Sequence, residues 1–308
     1  MTEGEALSAA AARLAAGGIN EPRREARLLL ALALQCPVER LVLSSTDAIA
    51  PASAAQFAAL VERRAHHEPY SRIVGKREFW SREFLLSADT LDPRPDSETL
   101  IEAALARIAD RDAVIDLVDL GTGTGALLLA LLTELPNARG LGIDCAPGAV
   151  ETARRNAAAL DLAGRARFAV GHWADGLSAP VDVILVNPPY IPTAQLAELA
   201  PEVRGYDPRA ALDGGPDGLA AYRELAPALA RLLRSTGFAV CEIGAGQAAA
   251  VVAYMTRSCL ETVAVACDLA GVERCLVVRR SRNGGERASS RNKVLIKQKI
   301  VGMSDDTD

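Results

Sequence analysis

The sequence predicts an α/β fold in which a mainly parallel sheet, covered by helices on both faces, follows a smaller helical region. From about Val114 onward, short apolar runs suited to strands alternate with helical stretches, and this alternation is typical of parallel sheets. Before that point good helix formers dominate, as in residues 25–35. A chain of 308 residues also exceeds the usual size of one domain, so we expect two.

The smaller helical region comes first in the chain. Helices are predicted at residues 25–35 and 51–64, and Pro51 is suited to the first turn of the second helix. We therefore expect residues 1–75 to form a small helical domain ahead of the sheet.

A hairpin and a stiff linker are predicted next, over residues 76–96. Residues 77–80 and 83–86 have the length and spacing of two short strands joined at residues 81–82. A proline-rich segment then leads to Asp96, the predicted N-cap of a helix over residues 97–108.

The sheet domain is predicted to span residues 97–280 and to contain seven strands. These strands are residues 117–120, 140–144, 166–170, 181–186, 238–243, 262–266 and 274–278. Helices are predicted between most of them, at residues 125–135, 149–160, 219–233 and 247–255. Residues 281–308 are polar, basic first and acidic at the end, so we expect a disordered tail.

Composition excludes several classes of protein. The formal charge of −5 argues against a general nucleic-acid binder, which needs a basic excess to neutralise phosphates. The N-terminus is acidic rather than signal-like, and the longest apolar run, residues 248–255, is far short of the roughly 20 residues of a membrane span. Cysteines and histidines lack the spacing of metal ligands, so we expect no metal. The expectation is a cytoplasmic monomer.

A glycine-rich turn follows the first strand of the predicted sheet. Its residues are Gly121, Thr122, Gly123, Thr124 and Gly125, and a helix begins at its end. Such a turn lets a ligand approach the backbone, and the free N–H groups of the helix start attract anionic groups. Asp144 ends the next strand, where a carboxylate can bind ribose hydroxyls. On these residues alone, S-adenosylmethionine (SAM) and NAD fit equally well, and a turn without a ligand is the third interpretation.

A second motif follows another strand of the same sheet and therefore lies on the same edge as the glycine turn. Its residues are Asn187, Pro188, Pro189 and Tyr190. An amide nitrogen is a poor nucleophile, and a site can help by accepting both of its N–H groups. The Asn187 side-chain oxygen and the Pro188 carbonyl can do so, while Tyr190 offers an aromatic wall. A plain Asn-Pro-Pro turn is the alternative, but the position behind a sheet strand favours methyl transfer to an amino group.

These motifs resemble those of amino-methyltransferases with an Asn/Asp-Pro-Pro-Tyr/Phe signature. Residues 68–80 and 91–98, which include the sequence Leu-Asp-Pro-Arg-Pro-Asp-Ser-Glu, resemble the HemK/PrmC family of peptide chain release factor glutamine methyltransferases more closely. The resemblance runs from about Glu25 to Arg279. It implies a class I SAM-dependent methyltransferase fold, Rossmann-like and seven-stranded, preceded by a helical substrate-recognition domain and a hairpin.

The resemblance also implies roles for individual residues. It implies SAM contacts from the turn Gly121–Gly125, from Asp144, Asn187 and Trp173, the last beside the adenine. It implies that residues 187–190 hold the glutamine of the release factors' Gly-Gly-Gln motif for N5-methylation, a reaction of translation termination. One departure stands next to Trp173, since His172 occupies a position where the family often has an acidic residue.

Two alternative functions stay open. A ribosomal-protein glutamine methyltransferase would share the fold, the cofactor and the chemistry. A DNA or RNA amino-methyltransferase would need a target-reading insertion, and residues 191–217 leave room only for a short loop. We expect class I release factors as partners and no direct nucleic-acid or membrane binding. The helical domain, with Arg63 and Arg64, either grips the release factor or only stabilises the fold.

Overall fold

The computed structural model of the protein describes residues 1–43 and 46–281. The segment predicted to be a disordered tail, residues 281–308, lies outside the described residues apart from Ser281. Within the described part, none of the helices combines the length and the apolar character that crossing a bilayer requires.

The described chain begins with a small helical bundle that has an apolar core of its own. Its helices are α1 (Glu3–Ala16), α2 (Pro22–Leu34), α3 (Arg40–Leu43), α4 (Pro51–Ala65) and α5 (Tyr70–Val74). Helix α1, which sequence patterns did not reveal, starts at a capping box in which Thr2 and Glu5 each accept the other's backbone N–H. Its alanine-rich face packs in one cluster with Leu29, Leu30 and Phe57.

A two-stranded hairpin follows, as predicted, with β1 (Lys76–Phe79) antiparallel to β2 (Arg82–Leu85). Phe79 and Phe84 meet edge to face, with ring centroids 6.2 Å apart, and both are buried. The Leu85 N–H donates to Asn156 Oδ1 over 2.7 Å, so the hairpin is bound to the domain that follows.

The predicted seven-stranded sheet is confirmed. Its strands are β3 (Asp116–Leu120), β4 (Arg139–Asp144), β5 (Ala166–Val170), β6 (Val181–Val186), β7 (Leu233–Glu242), β8 (Leu260–Cys267) and β9 (Glu273–Arg280). They are ordered β5-β4-β3-β6-β7-β9-β8, and the first five are parallel, whereas β9 is antiparallel to both neighbours. The strand order switches direction between β3 and β6, the position where open α/β sheets bind ligands.

Six helices of the described chain accompany this sheet: α6 (Glu98–Leu105), α7 (Ala126–Glu134), α8 (Pro147–Ala159), α9 (Pro201–Tyr206), α10 (Ala220–Leu232) and α11 (Ala248–Arg257). Successive strand side chains point to opposite faces, so Leu117 packs with α6, α7 and α8 while Val118 packs with α10 and α11. The central strands β3 and β6 are therefore buried on both faces, which explains their largely apolar sequences, whereas the edge strands β5 and β8 are partly exposed.

Two local predictions are wrong. Asp96 does not cap α6, because it lies inside the 3₁₀ turn Pro95–Ser97 and its carboxylate lies 3.4 Å from Arg274 Nη2. Residues 191–217 are not a simple loop, because they fold into the 3₁₀ helices Thr193–Glu198 and Arg209–Ala211 on either side of α9. This segment is called the insertion below.

Candidate active site

The two motif turns lie side by side at the carboxyl edge of the sheet. Leu120 on β3 pairs with Val186 on β6, so Gly121 and Asn187 leave neighbouring strands at the same level. A cavity of about 440 Å³ opens between them, a size within the range of about 300–1,000 Å³ that ligand pockets show. Among the predicted site residues its lining includes Gly121, Thr122, Gly123, Thr124, Asp144, Trp173, Asn187 and Pro189.

The glycine turn is shaped by backbone conformations that favour glycine. Gly121 and Gly123 have φ of 76° and 55°, in the left-handed region where a side chain adds strain. The Gly123 N–H donates to Asp144 Oδ2 over 2.8 Å, and the Ala146 N–H donates to Asp144 Oδ1 over 2.9 Å. The Asp144 carboxylate keeps two further lone-pair sites for a ligand hydroxyl, because each of its oxygens can accept twice.

Gly125 has a different place from the rest of the turn. A Cβ at this position would lie 3.1 Å from Leu129, 3.3 Å from Ala153 and 3.4 Å from Phe168, all of which belong to the core. Gly125 is not part of the cavity lining, and it precedes α7 in a left-handed conformation. Its position supports a packing role instead of the predicted ligand contact.

Trp173 and His172 form the side of the cavity that follows β5. A Cβ added to Gly121 would lie 3.2 Å from the Trp173 ring, so the indole closes directly over the glycine turn. His172 Nε2 lies 2.9 Å from Glu224 Oε2, and both side chains are more than half exposed. The position where an acidic residue was expected therefore carries a histidine with an acidic partner from α10.

The residues after β6 do not all face the cavity. Asn187 and Pro189 line it, whereas Pro188 and Tyr190 lie outside the lining. The Tyr190 hydroxyl donates to Glu242 Oε1 over 3.2 Å, and burial raises the pKa of this phenol well above its usual value. Tyr190 thus braces the turn from behind.

Glycines of the following segment pack against the backbone of this turn. A Cβ on Gly214 would lie 2.8 Å from the Tyr190 Cα, and one on Gly218 would lie 2.3 Å from the Tyr190 carbonyl oxygen. Gln247 Nε2 donates to the same carbonyl over 2.8 Å. The shape of the Asn-Pro-Pro-Tyr turn is therefore imposed from outside as well as by its prolines.

Two carboxyl groups at this edge are fully buried. Burial raises the pKa of Asp119 to about 7, although a hydrogen bond from Thr122 Oγ1 opposes the rise. Burial likewise raises the pKa of Glu242 to about 7, against hydrogen bonds from Ser97 and Tyr190. Sequence motifs did not single out Glu242. An acidic residue at the end of an apolar strand is nevertheless a signal that the sequence shows.

The cavity has two walls of different construction. The sheet wall consists of Gly121, Thr122, Gly123, Asp144 and Asn187, all within a few residues of strand ends. The loop wall consists of Leu91, Pro93, Pro208, Ala210 and Ala211, which come from the linker and from the insertion.

Asp207 holds the loop wall together. Its carboxylate accepts a hydrogen bond from Arg72 Nη2 over 2.7 Å and another from Arg94. The side chains of Asp207 and Arg72 are 4% and 8% exposed, so this ion pair is buried. Arg72 also donates to the carbonyls of Ser87 and Thr90. One carboxylate thereby joins helix α5, the linker and the insertion.

The helical domain contacts the same insertion through Arg64. This residue is buried, and its guanidinium pairs with Glu25 of α2 and with Glu202 of α9. For Arg64 this favours the second of the two alternatives, a stabilising role, because both of its charge partners are within the chain. Arg63 is half-exposed and pairs with Glu68.

Comparison with known families covers both parts of the chain. A model described as the PrmC N-terminal domain matches residues 5–75, and one described as the Methyltransferase small domain matches residues 76–200. The family likeness thus begins about twenty residues before Glu25, where the motifs had placed its start.

Three curated relatives carry the same name, release factor glutamine methyltransferase. That of Rhodospirillum rubrum is 48% identical over 281 residues, covering 91% of this chain and 86% of that protein. That of Cereibacter sphaeroides is 44% identical, covering 91% and 99%, and that of Moorella thermoacetica is 41% identical, also covering 91% and 99%. On this identity and coverage, the chain belongs to the release factor glutamine methyltransferase family.

Proposed function

We propose that this protein transfers a methyl group from SAM to the N5 side-chain amide nitrogen of the glutamine in the Gly-Gly-Gln motif of class I release factors. One observation carries the proposal: Asn187, an amide acceptor, stands beside Gly121 at the ends of paired strands and lines the same cavity. The relatives' shared name supplies the substrate class. Sheet, cavity and motif turn together support the chemistry.

The residues of the sheet wall fit SAM. Gly121 and Gly123 leave the turn without side chains where Trp173 closes over it, and Asp144 keeps acceptor sites for ribose hydroxyls. Thr122 of this wall and the neighbouring Thr124 also line the cavity, and Trp173 offers a flat face for the adenine. When bound, SAM supplies an electrophilic methyl group on a sulfonium sulfur.

Asn187 and Pro188 orient the target nitrogen. The Asn187 Oδ1 and the Pro188 carbonyl accept its two N–H groups, which turns the lone pair toward the methyl group. These hydrogen bonds strengthen as the nitrogen gains positive charge, so they stabilise the transition state more than the bound substrate. A proton leaves the nitrogen after transfer, so no strong base is needed beforehand.

Pro189 gives the turn an apolar surface, and Tyr190 helps to hold its shape. Pro189 lines the cavity, and its ring fixes one backbone angle of the turn. Tyr190 contributes a partly buried ring behind the turn, where its hydroxyl bonds to Glu242. The target glutamine thus meets a rigid surface with little conformational freedom to lose on binding.

Residues 1–75 are proposed to recognise the release factor, with residues 76–96 as a link and 97–280 as the SAM domain. The exposed faces of α1 and α4 are available for this contact, whereas Arg64 is buried and pairs with residues of the chain itself. Hydrogen exchange on the full chain with added release factor tests it. Slower exchange over residues 1–75 is expected. Unchanged exchange there would show that this domain has a structural role only.

The protein is proposed to act as a monomer in the cytoplasm, on protein and not on nucleic acid, in keeping with its charge of −5. Incubation with methyl-labelled SAM and, separately, release factor, ribosomal proteins, DNA and RNA tests the substrate class. Label is expected in the release factor alone. A release factor with alanine in place of the motif glutamine is the matched control, and label in a ribosomal protein or nucleic acid would overturn the proposal.

A further inference from the structure

Glu242 is a buried acid next to the proposed site that has no assigned role. It ends β7, beside β6, whose end leads into Asn187, and it is 2% exposed. Within the described residues no Lys, Arg or His nitrogen lies within 4.0 Å of its carboxylate. Acidic side chains are almost never buried in this way unless they are paired, so its hydrogen bonds must account for its presence.

Two hydroxyl groups meet the Glu242 carboxylate, one on each oxygen. Ser97 Oγ lies 2.5 Å from Oε2, and the Tyr190 hydroxyl lies 3.2 Å from Oε1. An ionised carboxylate can only accept hydrogen bonds, so both hydroxyls must be donors. The single hydroxyl proton of Ser97 is therefore used in the hydrogen bond to Glu242.

This hydrogen bond determines which end of the Asn187 side-chain amide faces Ser97. The Asn187 amide end lies 3.3 Å from Ser97 Oγ, which has only lone pairs left to offer. The atom that faces Ser97 must therefore be the donor, Nδ2, and Oδ1 is directed away from Ser97. The two ends of a side-chain amide have nearly the same shape, so hydrogen bonds of this kind are what distinguish them.

We infer that Glu242, acting through Ser97, is a positioning residue that holds the Asn187 amide with its oxygen presented to the target nitrogen. This inference rests on the proposed function, because only an N–H donor substrate needs Oδ1 on that side. A reversed Asn187 would present its NH₂ group to the substrate NH₂ group, and neither could accept.

Ionisation of Glu242 controls the arrangement. A neutral Glu242 carries one O–H, and when this donates to Ser97 Oγ the Ser97 hydroxyl becomes free to donate a hydrogen bond to Asn187 Oδ1, which permits the reversed amide. Burial raises the pKa of Glu242 to about 7, so the ordered form dominates above that pH and is lost as the pH falls through it. The titratable and charged groups that act on Glu242 are Asp96, Tyr190, Tyr222, Arg274 and Cys275.

Four of the neighbouring groups keep one charge state through this transition. Burial raises the pKa of Tyr190, Tyr222 and Cys275, which keeps these groups neutral throughout. Arg274 has a raised pKa and stays charged. Asp119 is the one other buried acid at this edge of the described sheet with a pKa of about 7, and it bonds to Thr122.

Nuclear magnetic resonance of the full ¹⁵N-labelled chain tests the inference without substrate. The Asn187 side-chain amide signals, identified by their loss in Asn187→Ala, are expected to shift with one midpoint near pH 7. In Ser97→Ala and in Glu242→Gln the shift is expected to disappear, while Asp119→Asn leaves it in place. A wild-type signal that does not titrate, or an unchanged titration in both Ser97→Ala and Glu242→Gln, would overturn the inference.

Kinetics provide a second measurement on the same variants. Ser97→Ala is expected to lower kcat roughly tenfold or more, to leave KM for the release factor nearly unchanged and to abolish the acidic limb of the pH profile. An unchanged kcat would contradict the positioning role. If the wild type methylates no release factor but the Asn187 signals titrate as described, the proposed function fails while the Glu242–Ser97–Asn187 arrangement stands.

Discussion

The sheet wall and the loop wall enclose one cavity but are held by different forces. The sheet wall follows from backbone pairing, since Leu120, Ile143 and Val186 lie in register and their turns leave the sheet together. The loop wall depends on side-chain pairs far apart in sequence, since Arg72 and Asp207 are 135 positions apart. Backbone pairing needs only an apolar strand pattern, whereas the loop wall depends on the charges of a few individual side chains.

The largest effect is expected from the carboxylate that holds the loop wall. Asp207→Asn removes the charge partner of Arg72 and Arg94 while keeping the shape, and breaking a buried pair costs about 3–5 kcal/mol. Chemical denaturation should show a loss of about 3 kcal/mol in the free energy of unfolding. The control is Asp217→Asn, whose pair with Arg223 is exposed to solvent, so a much smaller loss is expected. Equal losses in the two variants would contradict the stated contrast.

The next largest effect concerns the sheet wall and the reaction itself. Asn187→Ala removes a hydrogen bond that strengthens in the transition state, and such losses lower kcat by about 100-fold or more. Initial rates with a release factor measure kcat, and calorimetry measures the SAM dissociation constant, which should change much less. A variant with wild-type kcat would show that Asn187 is not the acceptor.

A smaller effect is expected from the glycine turn. Gly121→Ala adds a Cβ 3.2 Å from Trp173 at a φ of 76°, so it both strains the backbone and narrows the cavity. Gly271→Ala is the matched control, because its φ is 80° and no atom lies within 4 Å of the added Cβ. SAM affinity should fall about tenfold in the first variant, roughly 1.4 kcal/mol, and stay unchanged in the second. Similar SAM affinities in the two variants would show that Gly121 is not part of the SAM-binding surface.

The smallest effect is expected at the departure from the family pattern. His172→Ala removes an exposed contact with Glu224, and exposed pairs contribute at most about 1 kcal/mol. SAM affinity should change less than about threefold, as measured by calorimetry. A larger loss would show that the His172 side chain contacts the ligand and takes the place of the missing acidic residue.

The parts of the site that the sequence predicts are those set by neighbouring residues. Gly121, Asp144 and Asn187 each follow an apolar strand, and parallel strands bring their ends to one edge whatever the rest of the chain does. The central strands β3 and β6 were predictable because burial on both faces favours apolar runs.

The parts that the sequence did not predict depend on contacts between distant segments. Ser97 and Glu242 are 145 residues apart, and no local pattern indicates that they meet. The insertion was taken for a loop because its short helices lack an apolar periodicity; none of the residues in α9 is buried. The wrong N-cap at Asp96 has a local cause instead, since the 3₁₀ turn Pro95–Ser97 includes this residue and moves the start of α6 to Glu98.

Tandem mass spectrometry of a class I release factor treated with this protein and SAM tests the central claim most directly. The account predicts one added methyl group on the side-chain nitrogen of the Gly-Gly-Gln glutamine, and none when Asn187→Ala replaces the wild type. A methyl group on any other residue, or none at all while SAM binding is demonstrated separately, would contradict the proposed substrate and leave only the fold and the cofactor cavity.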